Sequence, residues 1–369
     1  MSDSLTERVR AVLSQVKDPA LQMDFASAGM VKEVEARSDG AVSIAIELTT
    51  PACPSKDVIA RSIEAAVRKL DGVSSVNLTL SAPPVVRGRP NRPDNPRLPG
   101  VRNIIAVAAG KGGVGKSTVT TNLAAALAAT GASVGILDAD VYGPSIPQMM
   151  GEPQKMAVTE TGNKILPAIH HGMKVISIGF FVERGGAVIW RGPMVHKLLQ
   201  QFIEDVEWGD LDYLLVDLPP GTGDAQLSLS QLLPITGAVM VTTPQEVSIL
   251  DVEKALGMWK RVEVPVLGLI ENMSGFICPS CGHHEEIFLR GGGRKLAERE
   301  AITFLGEVPL QGAVSRGGDN GLPVVLADPS SQVARIFQGI AGTVACALSV
   351  RNTPEPGSGI RSNKLTLIR

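Results

Sequence analysis

The sequence predicts a doubly wound α/β domain with a mainly parallel sheet, preceded by a small α+β domain. Strand-like and helix-like segments alternate between residues 101 and 350, which is typical of a parallel sheet covered by helices. A glycine-rich loop joins an apolar strand to an alanine-rich helix near the start of that region. A proline-rich stretch separates it from the first 80 residues, whose pattern is different.

The composition favours a soluble protein with two folded parts. The chain has 369 residues, 44% of them hydrophobic, and a formal net charge of −2, which gives no general indication of nucleic-acid binding. The N-terminus lacks the apolar core of a signal peptide, and no apolar run reaches the roughly 20 residues that span a bilayer. Four cysteines are too few for a disulfide framework. We therefore expect a cytoplasmic protein that binds neither nucleic acid nor a membrane.

Residues 1–80 are predicted to form the small domain, with the element order α-β-β-α-β. Apolar residues at helical spacing mark a first helix near Leu5–Val16 and a second near Ile59–Leu70. "AVSIAIELTT" alternates between apolar and polar residues and is predicted to be a strand, with "MVKEVEAR" as its hairpin partner. "VSSVNLTL" is predicted to be the last strand.

Two polar segments lie outside the predicted domains, one between them and one at the end of the chain. Residues 81–100 contain six prolines and four arginines, so neither a helix nor a central strand fits there, and we interpret them as a linker. Residues 351–369, "RNTPEPGSGIRSNKLTLIR", are predicted to be a disordered tail. The second domain therefore spans residues 101–350.

Six apolar segments are predicted to build the sheet of the second domain. Several of them are apolar on both faces, as buried parallel strands are. They are "NIIAVAA", "SVGILDAD", "MKVISIGF", "DYLLVDLP", "GAVMVTTP" and "VPVLGLIENM", with helices such as Ser117–Ala129 and Val247–Arg261 between them.

The glycine-rich loop fits the phosphate-loop pattern G-x-x-x-x-G-K-S/T. Its glycines let backbone N–H groups approach phosphate oxygens, and the N-terminus of the following helix adds partial positive charge. Lys116 would reach the β- and γ-phosphates, and Ser117 would bind Mg²⁺. The predicted nucleotide-binding residues are Gly110, Lys111, Gly112, Gly113, Val114, Gly115, Lys116, Ser117 and Thr118.

Acidic residues end two of the predicted strands. Asp138 and Asp140 follow one strand, and Asp217 ends another, where it fits a carboxylate that acts on Mg²⁺ directly or through water. Gly221, a few residues further on, could offer its N–H to the γ-phosphate. Each acid taken alone could equally be a helix cap or a turn residue.

Cys278 and Cys281 form a C-x₂-C pair, whose spacing lets two thiolates meet one metal centre. A structural zinc site or an iron–sulfur cluster usually takes four protein ligands, and no second C-x₂-C exists in the chain. Three interpretations stay open: a redox disulfide, a zinc site completed by His283 or His284 or by a second subunit, and a cluster bridged by two subunits.

The loop resembles the deviant phosphate loop of the MinD/ParA/Mrp group of P-loop ATPases, because Lys111 precedes the usual lysine. The segments "DADVYGPSIP", "RGPM", "DLPPGTGD" and "ENMSGFICPSCG" are similar to the Mrp/ApbC branch of iron–sulfur carriers. Residues 1–80 resemble the small domain of iron–sulfur assembly proteins. The resemblance covers nearly the whole chain.

This resemblance implies roles that spacing alone does not. Lys111 would reach the nucleotide of the other subunit of a homodimer, and Asp140 would position the attacking water. Asp138 would act in the Mg²⁺ shell, and Asn272 would recognise adenine. Cys278 and Cys281 would hold a [4Fe-4S] cluster between two subunits, with zinc as an alternative occupant. For Cys53 the resemblance implies a role in handling clusters, but a partly buried loop cysteine fits equally well.

The function that the resemblance implies is a slow ATP hydrolase that carries iron–sulfur clusters from assembly scaffolds to apo client proteins, with ATP and Mg²⁺ as cofactors. A positioning or partitioning ATPase of the MinD or ParA type is the alternative, but it would not use the two cysteines. Such a protein would also need a basic amphipathic helix or a DNA-binding surface. A third hypothesis is an assembly module whose nucleotide site is a switch with negligible hydrolysis.

Overall fold

The computed structural model describes residues 2–19, 23–48, 55–81, 98–151, 157–158, 164–181, 192–221, 223–278 and 280–352. These residues divide into two compact units, one formed by those within 1–93 and 345–369 and the other by those within 94–344. Most of the predicted linker and all of the predicted tail beyond Asn352 lie outside the described residues, as does Cys53. The predicted domain boundaries therefore stay predictions.

The first unit has the predicted order of elements. Its parts are α1 (Ser2–Leu13), β1 (Val31–Ala36), β2 (Ala41–Glu47), α2 (Lys56–Val67) and β3 (Ser75–Ser81). β2 pairs antiparallel with β1 and parallel with β3. Alternate residues of β2 are buried, and Ile44 and Ile46 pack in one core with Val9, Ile59 and Ile63 of the two helices. The alternating pattern in the sequence therefore reflects a sheet with one buried face.

The second unit begins with the elements that surround the glycine-rich loop. They are β4 (Val101–Ala109), α3 (Lys116–Ala128), β5 (Val134–Asp138), α4 (Ile146–Met150), β6 (Ala157–Val158), β7 (Ile165–Leu166), β8 (Ala168–His170), β9 (Met173–Ser177) and α5 (Gly192–Glu204).

The remaining elements complete the sheet and its helical layers. They are β10 (Leu211–Asp217), α6 (Asp224–Leu232), β11 (Gly237–Thr242), α7 (Glu246–Arg261), β12 (Val266–Ile277), β13 (His284–Glu285), α8 (Gly292–Arg299), β14 (Phe304–Leu310), α9 (Gly312–Asp319), α10 (Val324–Ala327) and α11 (Gln332–Asn352). The last residues of α11, from 345 onwards, are grouped with the first unit.

The large sheet has the strand order β13-β12-β11-β4-β10-β5-β9-β8, and β14 pairs with β12. All six strands predicted from the sequence lie in it and run parallel, whereas β8 and β13 are antiparallel. β5, β10 and β11 are buried along their whole length. The predicted doubly wound, mainly parallel fold is confirmed. The sequence did not predict β14, in which only Leu305 and Val308 are buried and which includes a glycine and a proline.

The order of the strands places the site. From β4 the chain moves to one side of the sheet through β5 and β9, returns through β10, and then crosses to β11 and β12. Loops after strands on the two sides of such a reversal separate and leave a crevice at the carboxyl edge of the sheet. The glycine-rich loop follows β4, Asp138 and Asp217 are the last residues of β5 and β10, and Asp140 follows β5, so all of them lie at that edge.

The last helix, α11, is long and apolar. Residues 332–351 of α11 have a mean hydropathy of 1.5 and would be long enough to cross a membrane by length and composition. Phe337, Ile340, Val344 and Leu348 are buried, however, and 56% of the apolar window is buried within the protein. Burial of this kind is what a core helix of a folded domain shows.

Candidate functional site

The glycine-rich loop leaves β4 at Ala109 and enters α3 at Lys116. Two of its glycines have a left-handed backbone, with φ of +80° at Gly113 and +82° at Gly115. A β-carbon at Gly115 would lie 2.2 Å from Nδ2 of Asn272. The loop therefore turns and packs against a neighbouring strand at a position that only glycine fits.

The loop borders a cleft of about 250 Å³ at the carboxyl edge of the sheet. Most of the lining comes from the residues predicted to bind phosphate, and the rest comes from the segments that follow β5 and β10. The lining residues are Lys111, Gly112, Gly113, Gly115, Lys116, Ser117, Thr118, Asp140, Gly143, Ser145, Met149 and Pro220.

The amine of Lys116 lies in a buried acidic cluster. Its Nζ is 2.7 Å from Oδ2 of Asp217 and 3.5 Å from Oδ2 of Asp140. The hydroxyl of Ser117 donates to the same oxygen of Asp217 at 2.6 Å, and the hydroxyl of Thr120 donates to the other oxygen at 2.6 Å. Because both of its oxygens accept hydrogen bonds, the carboxylate of Asp217 has a fixed orientation beside the first turn of α3.

Asp138 lies beside Asp217, its register partner across the sheet. One oxygen of Asp138 accepts the backbone N–H of Asp140 at 3.1 Å, and the other accepts the hydroxyl of Ser177 at 2.8 Å. Burial raises the pKa of Asp138 well above its ordinary value, and the charge of Asp217 raises it further. Burial also raises the pKa of Asp140, although Lys116 opposes that shift. Such a cluster favours any cation placed near it.

The other predicted nucleotide residues lie around the same loop. Lys111 lines the cleft, is partly exposed, and forms no ion pair with any residue that the structure describes. The N–H of Gly221 donates to the carbonyl of Ala109 at 3.0 Å, and Nδ2 of Asn272 donates to the carbonyl of Val114 at 2.8 Å. The predicted roles of Lys111, Gly221 and Asn272 towards a nucleotide stay predictions.

Sequence reasoning missed two hydroxyl side chains that position the acids. Thr120 stands one helical turn after Lys116, on the face of α3 that meets β10. Ser177 ends β9 and lies directly across from Asp138 in the parallel register. A signal for Ser177 existed, because polar residues that end adjacent parallel strands meet at one edge of the sheet. The face of α3 that carries Thr120 had no such local signal.

The two predicted metal-binding cysteines lie in a hairpin between β12 and β13. The backbone N–H of Cys278 donates to the carbonyl of His283 at 2.9 Å, and the N–H of Gly282 donates back to the carbonyl of Cys278 at 2.9 Å. Cys281 is exposed and Cys278 is partly exposed, and neither is in a disulfide. Hydrogen bonds from the backbone of Cys281 and then of Ser280 lower the pKa of the Cys278 thiol. A lowered pKa favours the thiolate, which is the form that binds metal.

One chain does not complete a metal site around these thiols. Within the described ranges, no group of three or more histidine, cysteine, aspartate or glutamate side chains could hold a metal ion. His283 and His284 are exposed on the same hairpin but do not form such a group with Cys278 and Cys281. A four-ligand centre would therefore need further ligands from another molecule or from a rearranged hairpin.

Comparison with known protein families yields two matches. A family described as NUBPL iron-transfer P-loop NTPase matches residues 100–345, which include the glycine-rich loop and both hairpin cysteines. A second family, described as iron–sulfur cluster assembly protein, matches residues 6–78.

Individual relatives are similar over most of the chain. An iron–sulfur cluster carrier protein of Deinococcus radiodurans is 46% identical, and the alignment covers 96% of this chain and 98% of that relative. One of Synechocystis sp. is 44% identical, with 94% and 98% covered. Among solved structures, a nucleotide-binding protein of Archaeoglobus fulgidus in complex with ADP is 40% identical. It covers 65% of this chain and 94% of its own, with a TM-score of 0.57.

Proposed function

This chain belongs to the family of NUBPL iron-transfer P-loop NTPases, and we propose from that membership that it is an ATP-dependent iron–sulfur cluster carrier. It hydrolyses ATP and passes a cluster to apo client proteins. The observation that carries the proposal is that one compact unit holds both a phosphate-binding cleft and a hairpin with two exposed or partly exposed thiols. A positioning ATPase would have no use for that hairpin.

The cleft fits Mg²⁺ with ATP. The hydroxyl of Ser117 and the carboxylates of Asp217 and Asp138 are oxygen donors, which Mg²⁺ prefers, and would hold it directly or through water. Bound Mg²⁺ would neutralise charge on the β- and γ-phosphates. Lys116 would supply a second positive charge from the base of the cleft.

The hydrolysis itself needs an oriented water molecule. The carboxylate of Asp140 lines the cleft, and its raised pKa suits a group that accepts a hydrogen bond from water and shares its proton. Water attacks the γ-phosphorus, the bond from that phosphorus to the β,γ-bridging oxygen breaks, and ADP and phosphate leave. The backbone N–H groups of the loop would stabilise the charge on the transferring phosphoryl group.

A homodimer completes both sites in this proposal. Lys111 is partly exposed at the cleft and has no ion pair within the described residues, so it is available to the nucleotide of a second subunit. A two-fold axis repeats the same residues on both sides of an interface. Two copies of Cys278 and Cys281 would then supply the four thiolates that a [4Fe-4S] cluster takes, with zinc as an alternative occupant.

The rest of the chain has a supporting role in the proposal. Residues 1–80 would be the assembly-type domain, 81–100 a linker and 101–350 the ATPase domain, in a cytoplasmic protein. Cys53 would help to receive or deliver clusters, and assembly scaffolds and apo clients would be the partners. The match of residues 6–78 to the iron–sulfur cluster assembly family supports this division.

Anaerobic reconstitution with iron and sulfide tests the function. We expect the wild type to take up about one [4Fe-4S] cluster per dimer, measured by its absorption spectrum and iron content. Cys278→Ala and Cys281→Ala should each lose the cluster, because each substitution acts in both subunits and leaves two thiolates where the centre needs four.

Cys346→Ala is the matched control, since Cys346 lies on α11 and outside the hairpin. It should bind as much iron as the wild type. A wild type that takes up no cluster and holds stoichiometric zinc would overturn the carrier function. Cluster uptake that survives both hairpin substitutions would place the cluster elsewhere in the chain.

A further inference from the structure

Glu271 is a buried carboxylate that the proposed mechanism does not use. It lies in β12, and none of its surface is exposed to solvent. Its Oε1 accepts the hydroxyl of Ser274 at 2.6 Å and the backbone N–H of Gly291 at 2.8 Å, and its Oε2 accepts the N–H of Gly293 at 2.6 Å. Three hydrogen bonds hold this buried carboxylate in one orientation, so it connects the three donating groups rigidly.

The position of these donors along the chain is informative. Ser274 comes just before the segment 275–290, and Gly291 comes just after it. That segment contains the whole hairpin, with both Cys278 and Cys281. A single carboxylate therefore fastens the two ends of the part of the chain that carries the thiols.

The glycine run "RGGGRK" is explained by this contact. Gly291 has a left-handed backbone with φ of +81° and immediately precedes α8. A β-carbon at Gly292 would lie 2.4 Å from the carbonyl oxygen of Pro244, and one at Gly293 would lie 3.1 Å from Oε2 of Glu271. Because these three positions lack a β-carbon, the N-terminus of α8, with its partial positive charge, can pack directly against the carboxylate of Glu271.

The strand is irregular just where Glu271 fastens it. Met273 has φ of +58°, which is uncommon for a residue with a side chain, and Gly275 has φ of +70°. The pairing of β12 with β14 shifts register between Asn272 and Phe276. A bulge of this kind turns a strand and re-aims the residues beyond it. The bulge 273–275 therefore sets the direction in which β12 continues to Cys278.

Asn272, the residue that follows Glu271 in β12, contacts the phosphate loop. Asn272 donates to the carbonyl of Val114 and lies against Gly115, so a movement of the loop acts on β12 at this point. Cys278 is only six residues further along the chain, immediately after the end of β12.

We propose that Glu271 is a positioning residue through which the phosphate loop sets the position of the Cys278–Cys281 hairpin. A movement of the phosphate loop would displace Asn272 and with it the bulge 273–275. Because Glu271 is hydrogen-bonded to Ser274 and Gly291, both ends of the segment 275–290 would move with it. The inference deepens the proposed function, on which its biological meaning rests, because it gives the nucleotide a route to the metal-binding thiols.

The experiment measures how fast the two thiols react, in reduced, metal-free, full-length protein. Iodoacetamide labelling followed by mass spectrometry gives separate rates for the peptide with Cys278 and Cys281 and for Cys346 as an internal reference. Each protein is measured alone, with saturating Mg-ADP and with a saturating non-hydrolysable Mg-ATP analogue, after calorimetry has fixed the saturating concentrations.

We expect nucleotide to change the labelling rate of the hairpin thiols in the wild type by about 5-fold or more, the lower end of typical coupling between sites. Glu271→Gln removes the charge and replaces one of the two acceptor oxygens with an NH₂ group that cannot accept a hydrogen bond, so the three donors cannot all be satisfied and the nucleotide effect should disappear. Ser274→Ala keeps the charge of Glu271 and removes one of its three hydrogen-bond donors, so it should reduce the nucleotide effect. It replaces Glu271→Gln as the test variant if Glu271→Gln fails to fold. The rate at Cys346 should stay constant throughout.

Glu300→Gln is the matched control. It makes the same substitution at the other end of α8, where the carboxylate forms an exposed ion pair with Lys260 at 2.8 Å. This variant should retain the full nucleotide effect. The proposal is overturned if nucleotide leaves the wild-type thiol rates unchanged, or if Glu271→Gln and Ser274→Ala both keep the effect. Since no iron is present, these outcomes are independent of cluster uptake, which tests the carrier function.

Discussion

Replacing Lys116 with methionine should destabilise the unit of residues 94–344 strongly, even without nucleotide. Lys116 is the counter-charge of three buried carboxylates, those of Asp138, Asp140 and Asp217. Three carboxylates and one ammonium group leave a formal charge of −2, and methionine makes it −3. Methionine is unbranched and of similar length, so the loss of packing is small.

The distance between Lys116 and Asp217 sets the size of the expected destabilisation. At 2.7 Å and an effective dielectric constant of about 20, the attraction between Lys116 and Asp217 is about 6 kcal/mol before the cost of desolvation. Removing one partner of a buried pair typically costs about 3–5 kcal/mol, because the other charge stays buried and uncompensated. Proton uptake by the remaining carboxylates limits the penalty, so we expect about 3 kcal/mol for Lys116→Met.

The double variant Lys116→Met with Asp217→Asn returns the formal charge to −2. It should recover most of the lost stability, since Ser117 and Thr120 can rotate their hydroxyls towards an amide as well as a carboxylate. Urea unfolding followed by tryptophan fluorescence measures both variants. The three tryptophans of the chain lie between residues 190 and 259, so the signal reports on this unit alone.

Two results would refute the reasoning. A cost below about 1 kcal/mol for the single variant would mean that water screens the cluster as it does at a surface. A double variant no more stable than the single one would mean that Lys116 acts through packing and that its charge is unimportant. A wild-type-like double variant with no ATPase activity is the outcome that we expect.

Two further predictions concern ionisation and nucleotide binding. Because the pKa of Asp138 is raised above its ordinary 3.8 in the folded protein, its ionisation opposes folding, and this penalty grows as the pH rises from 3.8 to the raised pKa. Asp138→Asn cannot ionise, so urea unfolding should show its stability relative to wild type rising as the pH increases from about 4 towards the raised pKa of Asp138; a difference that is constant with pH would contradict this. Asn272→Ala removes the hydrogen bond to Val114 and should weaken ADP and GDP binding alike by about 5- to 30-fold, with a further loss for ADP if the side chain also recognises adenine. Calorimetry with both nucleotides separates the two roles, and unchanged GDP binding would argue against the contact with the loop.

Local patterns predicted the framework of the protein well. The run of apolar segments predicted the six central strands of the sheet, because burial on both faces leaves a continuous apolar run in the sequence. The phosphate loop was recognisable because its glycines, its lysines and its hydroxyl residues all stand within nine consecutive residues. β14 was missed because an edge strand that is only partly buried has no such run.

What the sequence by itself determined is therefore the fold class, the phosphate loop and the thiol pair, each of which depends on neighbouring residues. Only the tertiary structure decided which distant groups meet. Thr120 and Ser177 orient carboxylates 97 and 39 positions away, and Glu271 reaches Gly293 across 22 positions. Such contacts depend on strand register, helix rotation and the packing of layers, which no local pattern encodes. The proposed route from the phosphate loop to the cysteine hairpin through Glu271 rests on such contacts.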